Sequence, residues 1–132
     1  TVMTAPIIPG LTCHEIEKLL KSSAESGAQS AGYVLLRLPL EVRDLFKEWL
    51  EAERPAAAAK IMSLIRQTRG GKDYDAGWGR RMTGNGRFAD LIRQRFERAC
   101  RRADLGRRAE MRLRTDRFRI PERPGETLDL FG

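Results

Sequence analysis

The chain has 132 residues, 41% of them hydrophobic, and a formal net charge of +7 from 25 Lys+Arg against 18 Asp+Glu. That length suits one ordinary domain with a modest core. No stretch approaches the ~20 apolar residues of a membrane span, and the first apolar run lacks the basic segment of a signal peptide.

The two cysteines, Cys13 and Cys100, are far apart and do not suggest a disulfide scaffold. They point to a reducing, cytoplasmic setting, and by themselves they cannot make a zinc or iron–sulfur site. The charge is unevenly placed. Residues 1–79 hold 10 Lys+Arg and 10 Asp+Glu, whereas residues 80–123 hold 15 Arg, no Lys and 6 acids. Arg presents a planar fork of donors that suits phosphate, so a nucleic-acid partner is one reading of this block. A solvated helix face is the other.

In chain order, Val2–Pro9 opens with an apolar run (Val2, Met3, Ala5, Ile7, Ile8). Thr12 with Glu15 three residues later forms a capping-box pattern, and Leu11 with Ile16 a hydrophobic staple. Ile16, Leu19, Leu20 and Ala24 then follow at helical spacing, and Gly27 is a natural stop. A second apolar run, Tyr33–Leu38, completes one βαβ unit, the only one in the chain. Uninterrupted apolar strands around a crossover helix predict a parallel sheet covered on both faces. Two such strands do not stand alone, and Thr1 already lies at a strand's edge. The expectation is therefore the C-terminal fragment of a larger α/β protein. Expressed alone, its unpaired edges predict self-association or partial disorder near the N-terminus.

Pro39 favours a first helical turn, followed by the stripe Val42, Leu45, Phe46, Trp49 and Leu50. Pro55 opens a third helix with Ala56–Ala59, Ile61, Met62, Leu64 and Ile65, ended by Gly70-Gly71. The glycine-rich loop Gly70–Gly86 interleaves Lys72, Tyr74, Trp78, Arg80 and Arg81. Basic groups with aromatics suit a nucleic-acid backbone and base stacking. The alternative is a connection whose aromatics pack onto the helices. Lys72 lacks the GxxxxGK[ST] frame of a phosphate loop. A fourth helix, from about Arg87 to Ala103, carries Phe88, Leu91, Ile92, Phe96, Ala99 and Cys100 on one face. Arg93, Arg95, Arg98, Arg101 and Arg102 occupy the other. From Gly106 the tail reads as irregular. Residues 1–53 thus form a βαβα part, 54–105 a helical extension, and 106–132 an Arg-rich tail.

The junction from Ala5 to Glu15 lies at the C-terminal end of a parallel strand, where α/β proteins bind ligands. Gly10 lets a ligand approach the backbone closely. His14, the only histidine, falls in a first helical turn, where the dipole disfavours its charged form. It lacks a carboxylate or serine at catalytic spacing, so an exposed first-turn residue is the favoured reading. Cys13 is likewise not favoured as a nucleophile, although a helix N-terminus lowers thiol pKa.

Three stretches carry a family resemblance: Ala5-Pro-Ile-Ile-Pro-Gly-Leu11, Ala31-Gly-Tyr-Val-Leu-Leu-Arg-Leu-Pro39 and Ser63-Leu-Ile-Arg-Gln-Thr-Arg-Gly-Gly71. With Tyr74-Asp, Trp78-Gly, the fourth helix and Leu113-Arg-Thr-Asp116, they resemble the C-terminal half of radical S-adenosylmethionine proteins related to spore photoproduct lyase. That group is often described as DNA-repair-photolyase-like. The resemblance implies a partial (βα) barrel that binds a four-iron cluster and S-adenosylmethionine, with this chain supplying its last βαβ unit. It also implies a late-strand GxIxGxxE motif near the cofactor adenine. Ile8 and Gly10 match it, whereas Pro6 and Cys13 replace its first Gly and its Glu. Arg37, at the end of the second strand, would face the same cavity; the alternative is a charge at an exposed strand end. The family's CxxxCxxC motif does not occur here. Thiolates are the ligands such a cluster needs, so the chain alone is expected to be inactive and to need the missing N-terminal part of the barrel as its partner.

The segment Thr127-Leu128-Asp129-Leu130-Phe131 resembles the QLxLF peptide by which bacterial repair proteins dock on the sliding clamp, with Thr127 in place of Gln. Leu128, Leu130 and Phe131 would be the anchors on a Pro-containing tail; the alternative is that they fold back as an edge of the core. Two functions compete. One is the C-terminal portion of a radical S-adenosylmethionine enzyme, DNA-repair-related by resemblance. The other is a non-enzymatic module binding nucleic acid through Lys72, Arg80, Arg81, Arg93, Arg98, Arg101 and Arg102, and the clamp through its tail. A third is a fragment that only completes a barrel.

Overall fold

Strand β1 (Val2–Ile7) and strand β2 (Ser30–Leu35) pair in parallel around the crossover helix α1 (Ile16–Glu25). The computed structural model describes residues 1–107 and 116–119. Val2 aligns with Ala31, Met3 with Gly32, Thr4 with Tyr33 and Ile7 with Leu35, and the register shifts between Thr4 and Ile7, where the Ala5–Pro6 bond is cis. Helices α2 (Val42–Glu53), α3 (Pro55–Gln67) and α4 (Gly86–Arg102) follow. The chain then returns to the sheet as β3 (Gly106–Arg107), parallel to the start of β2, giving the order β1-β2-β3.

This α/β architecture agrees with the sequence reading in its first crossover and its three later helices, and departs from it at several points. Gly106 and Arg107 are a strand rather than irregular tail, so a second parallel crossover follows the first. Strand β2 begins three residues earlier than the apolar run and stops at Leu35. Its continuation carries Arg37, whose long charged side chain leaves the sheet. The capping box does not form. Thr12 has αR backbone angles rather than the extended ones of an N-cap. Its Oγ1 accepts from the Ile8 amide (2.9 Å) and donates to the Pro6 carbonyl (3.4 Å), closing the β1–α1 connection. A 3-10 turn, Cys13–Glu15, precedes α1 instead. Leu11 and Ile16 pack into different clusters rather than against each other.

Two clusters form the core. The larger joins one face of the sheet (Ile7, Ala31, Leu35) to α1 (Ile16, Leu20) and α4 (Ala89, Ile92, Phe96, Ala99, Cys100). Ile16 and Leu20 are fully buried, and the Tyr33 ring lies 4.7 Å from that of Phe96. The smaller joins α2 and α3 through Leu50, Ala58, Ile61, Met62 and Ile65, with Leu38 beside them. The opposite face of the sheet is different. Met3 is 44% exposed, and neither it nor Val34 joins a cluster. The sheet is therefore covered on one face, not two, among the described residues. No helix of the described residues is long and apolar enough to cross a membrane.

Candidate functional site

The C-terminal ends of β1 and β2 carry most of the polar organisation. Leu36 donates from its amide to the Ile7 carbonyl, and Leu35 to the carbonyl of Met82 in the glycine-rich loop (2.8 Å). That loop is held down by Arg69, which follows α3. Arg69 is 2% exposed, and no ion pair engages it among the described residues. Its Nη1 donates to the carbonyls of Arg80 and Arg81 (both 3.0 Å), and its Nη2 to those of Leu36 (2.7 Å) and Leu35 (3.4 Å). One guanidinium thus ties the loop to the end of β2. Burial pulls the Arg69 pKa below its usual value; Asp75 and Tyr74 oppose this, and Arg37 adds to it. The loop backbone fits tightly. A Cβ on Gly84 (φ +73°) would meet the Thr68 carbonyl oxygen at 2.8 Å and the Leu35 side chain at 2.9 Å.

Acidic residues of the loop fix its other parts. Asp73 bridges Lys47 of α2 and Arg66 of α3, each at 2.6 Å, and the Lys47 ammonium first, then Arg66, holds its carboxyl below the usual carboxylate range. Asp75 accepts from the Gly77 amide (2.8 Å) and lies 3.5 Å from Arg80. Two side chains point outward. Trp78 is 85% exposed, and the Arg81 guanidinium sits 4.5 Å from its ring centroid. The alternative in which this aromatic packs onto the helices does not apply to Trp78. Tyr74 is half-buried and accepts from Arg37 (3.2 Å).

The arginines of α4 divide. Arg95 is half-buried and makes a two-pronged ion pair with Glu17 of α1, with Nη2 to Oε2 at 2.7 Å. The same contact holds the Glu17 carboxyl below its usual range. Arg93 pairs with Asp90 (2.9 Å). Arg98, Arg101 and Arg102 are exposed, and no ion pair engages them among the described residues. Leu91, expected on the buried face, is 56% exposed, and Ala89 takes its place.

The residues expected near a cofactor sit as follows. Ile8 is half-buried against the α2–α3 cluster. Gly10 has φ +76°, a left-handed backbone that favours glycine, and a Cβ there would lie 2.8 Å from Leu64 Cδ1, which would have to shift. Arg37 lies beyond β2, apart from both. His14 is exposed and 4.0 Å from Glu15, and the Gly10 amide donates to the Cys13 sulfur (3.4 Å). Neither Cys13 nor Cys100 forms a disulfide among the described residues, and Cys100 is buried in the main core. Among the described residues no three metal-ligating side chains converge. With two cysteines, Cys13 and Cys100, the chain does not offer the three thiolates of a CxxxCxxC cluster site. Leu128, Leu130 and Phe131 lie outside the described residues.

The residue missed in the sequence is Arg69. Its signal was available: it stands four residues after Ile65 and eight after Ile61, on the buried stripe of α3. Compared with known proteins, the chain matches no family model, no curated protein and no solved structure.

Proposed function

We propose that this chain supplies the last parallel strands and the C-terminal cap of a larger α/β enzyme of the radical S-adenosylmethionine type, cytoplasmic and DNA-repair-related by its resemblance. The four-iron cluster and the radical chemistry belong to the rest of that protein. Ile8, Gly10 and Arg37 are what this chain would bring to the S-adenosylmethionine side. One observation carries the reading: the sheet is open. Strand β1 is at its edge and carries no charge. A groove of about 280 Å³ runs between β1 and α1, lined by Met3, Thr4, Ala5 and Leu19 among others. Among the described residues no helix covers the face bearing Met3, 44% exposed, while α1 and α4 cover the other. Helices outside and an uncovered face inside are how a strand pair looks when taken from a (βα) barrel. Extending the coding sequence upstream tests this. A CxxxCxxC within roughly the preceding 100–200 residues, with iron and sulfide bound by the extended protein purified without oxygen, is the expected result. An upstream sequence without the motif overturns the enzyme reading.

Exposed Trp78 with Arg81 favours a second reading, contact with nucleic acid. An aromatic face beside Lys72, Arg80 and the outward Arg98, Arg101 and Arg102 combines stacking with phosphate neutralisation. Binding of an oligonucleotide that falls by orders of magnitude between ~50 and ~200 mM salt supports it. Binding absent at low salt excludes it.

A further inference from the structure

The end of β2 holds two guanidiniums, Arg37 and Arg69, that no ion pair engages among the described residues. Arg69 is buried among four backbone carbonyls. Among the described residues Arg37 donates to the Tyr74 hydroxyl (3.2 Å) and the Met82 thioether (3.8 Å). In both, the Nε–H is sealed from solvent and has no acceptor. The nearby acids are taken up elsewhere, Asp73 by Lys47 and Arg66, and Asp75 by Arg80. Buried charge without a counter-ion is unfavourable, and an orphaned buried donor adds to the cost. An anion close to Arg37 relieves the first of these.

Space for one lies alongside. An open depression of about 460 Å³ is lined by Leu38, Leu40, Arg43, Lys72, Asp73 and Tyr74. Arg43 is engaged by Asp44. Lys72 is exposed at the rim, and no carboxylate among the described residues pairs with it. Tyr74, which lines the depression, accepts through its hydroxyl from Arg37 (3.2 Å). This is also the C-terminal end of the parallel strands, the side on which α/β sheets hold their ligands.

We propose that this depression binds the phosphate group of a small phosphomonoester. Lys72 and the Tyr74 hydroxyl contact its oxygens, Arg37 supplies charge and further donors, and Leu40, 81% exposed, covers the apolar part of the ligand. Guanidinium and ammonium groups beside a hydroxyl are a recurrent way to hold a phosphate.

Calorimetric titration of the full chain with inorganic phosphate and with phenyl phosphate, at ionic strength fixed with sodium chloride, tests the assignment. Saturable binding is expected, tighter for phenyl phosphate. Arg37→Gln and the surface variant Lys72→Gln each weaken it about tenfold or more, the worth of a charge-assisted hydrogen bond, while Lys18→Gln, exposed on α1, leaves it unchanged. Circular dichroism establishes that each variant is folded, and Lys72→Gln alone decides if Arg37→Gln is not. No binding, equal binding by Lys72→Gln, or saturation by acetate in place of phosphate overturns the proposal. Displacement of phenyl phosphate by a single-stranded oligonucleotide, undone by Lys72→Gln, assigns the phosphate to a nucleic-acid backbone and overturns the small-molecule ligand.

Discussion

Helices α2 and α4 carry comparable apolar stripes in the sequence and meet different surroundings. Helix α4 buries Ala89, Ile92, Phe96, Ala99 and Cys100 against the sheet and α1. Helix α2 buries Leu50 alone and leaves Val42, Leu45 and Trp49 43%, 61% and 46% exposed. An amphipathic stripe says that a helix has an apolar face, not that the same chain provides its partner. Helix α4 returns to a sheet that needs a cover. Among the described residues helix α2 packs chiefly against α3, and Val42, Leu45 and Trp49 stay largely exposed.

That contrast sets the order of the expected effects. Phe96→Ala in the main core is expected to cost about 3–5 kcal/mol, read from urea unfolding, against about 0.5 kcal/mol or less for Leu45→Ala on the exposed stripe. Equal losses would mean that α2 is covered in solution. Arg69→Met leaves four carbonyls without their donor. A loss of about 1–3 kcal/mol is expected, with faster proteolysis between Gly77 and Gly84, because the guanidinium is what ties that segment to β2. Gly84→Ala combines a left-handed backbone with a 2.8 Å approach to the Thr68 carbonyl, and about 1–3 kcal/mol is expected. Gly71→Ala, with φ +86° but open space around it, carries the backbone cost alone, about 1–2 kcal/mol. The smallest effect is in pH. The carboxyls of Asp73 and Glu17 are held below their usual values in the folded chain by Lys47 and Arg95 respectively. Their contribution is fully present above about pH 4, the range in which unfolded carboxylates titrate, and is lost as the pH falls below it. Asp73→Asn should flatten the acid limb of a pH–stability curve; an unchanged limb would remove the Lys47–Asp73–Arg66 bridge from the account.

The elements that were legible in the sequence are those whose partner lies in the same chain. A first strand within Val2–Pro9, the Pro55 start of α3 and its stop before Gly70, and the span of α4 followed from local pattern, because periodicity and stop residues act locally. Helix α2's span was equally readable, but not its exposure, since a stripe is silent about what packs on it. Strand β2 was displaced by three residues because its register is set by pairing with β1, and Ser30 and Gly32 are not apolar. Strand β3 is two residues long, Gly106 and Arg107, and neither carries a strand signal. The Thr12–Glu15 pattern has the spacing of a capping box, but Thr12 is committed to Ile8 and Pro6. Of the site, the outward position of Trp78 beside Arg81 was within reach of composition. The spacing of Arg69 from Ile61 and Ile65 signalled its burial but not its acceptors, which come from two segments, Leu35–Leu36 and Arg80–Arg81, that only the fold brings together.

The open sheet is the centre of the account, and multi-angle light scattering of the chain at micromolar concentration probes it most directly. The expected result is dimers or larger species that become monomers when Lys replaces Met3, a charge on an exposed edge strand being an effective block to pairing, with circular dichroism unchanged. A monodisperse wild-type monomer that unfolds cooperatively would contradict the need for further strands beside β1.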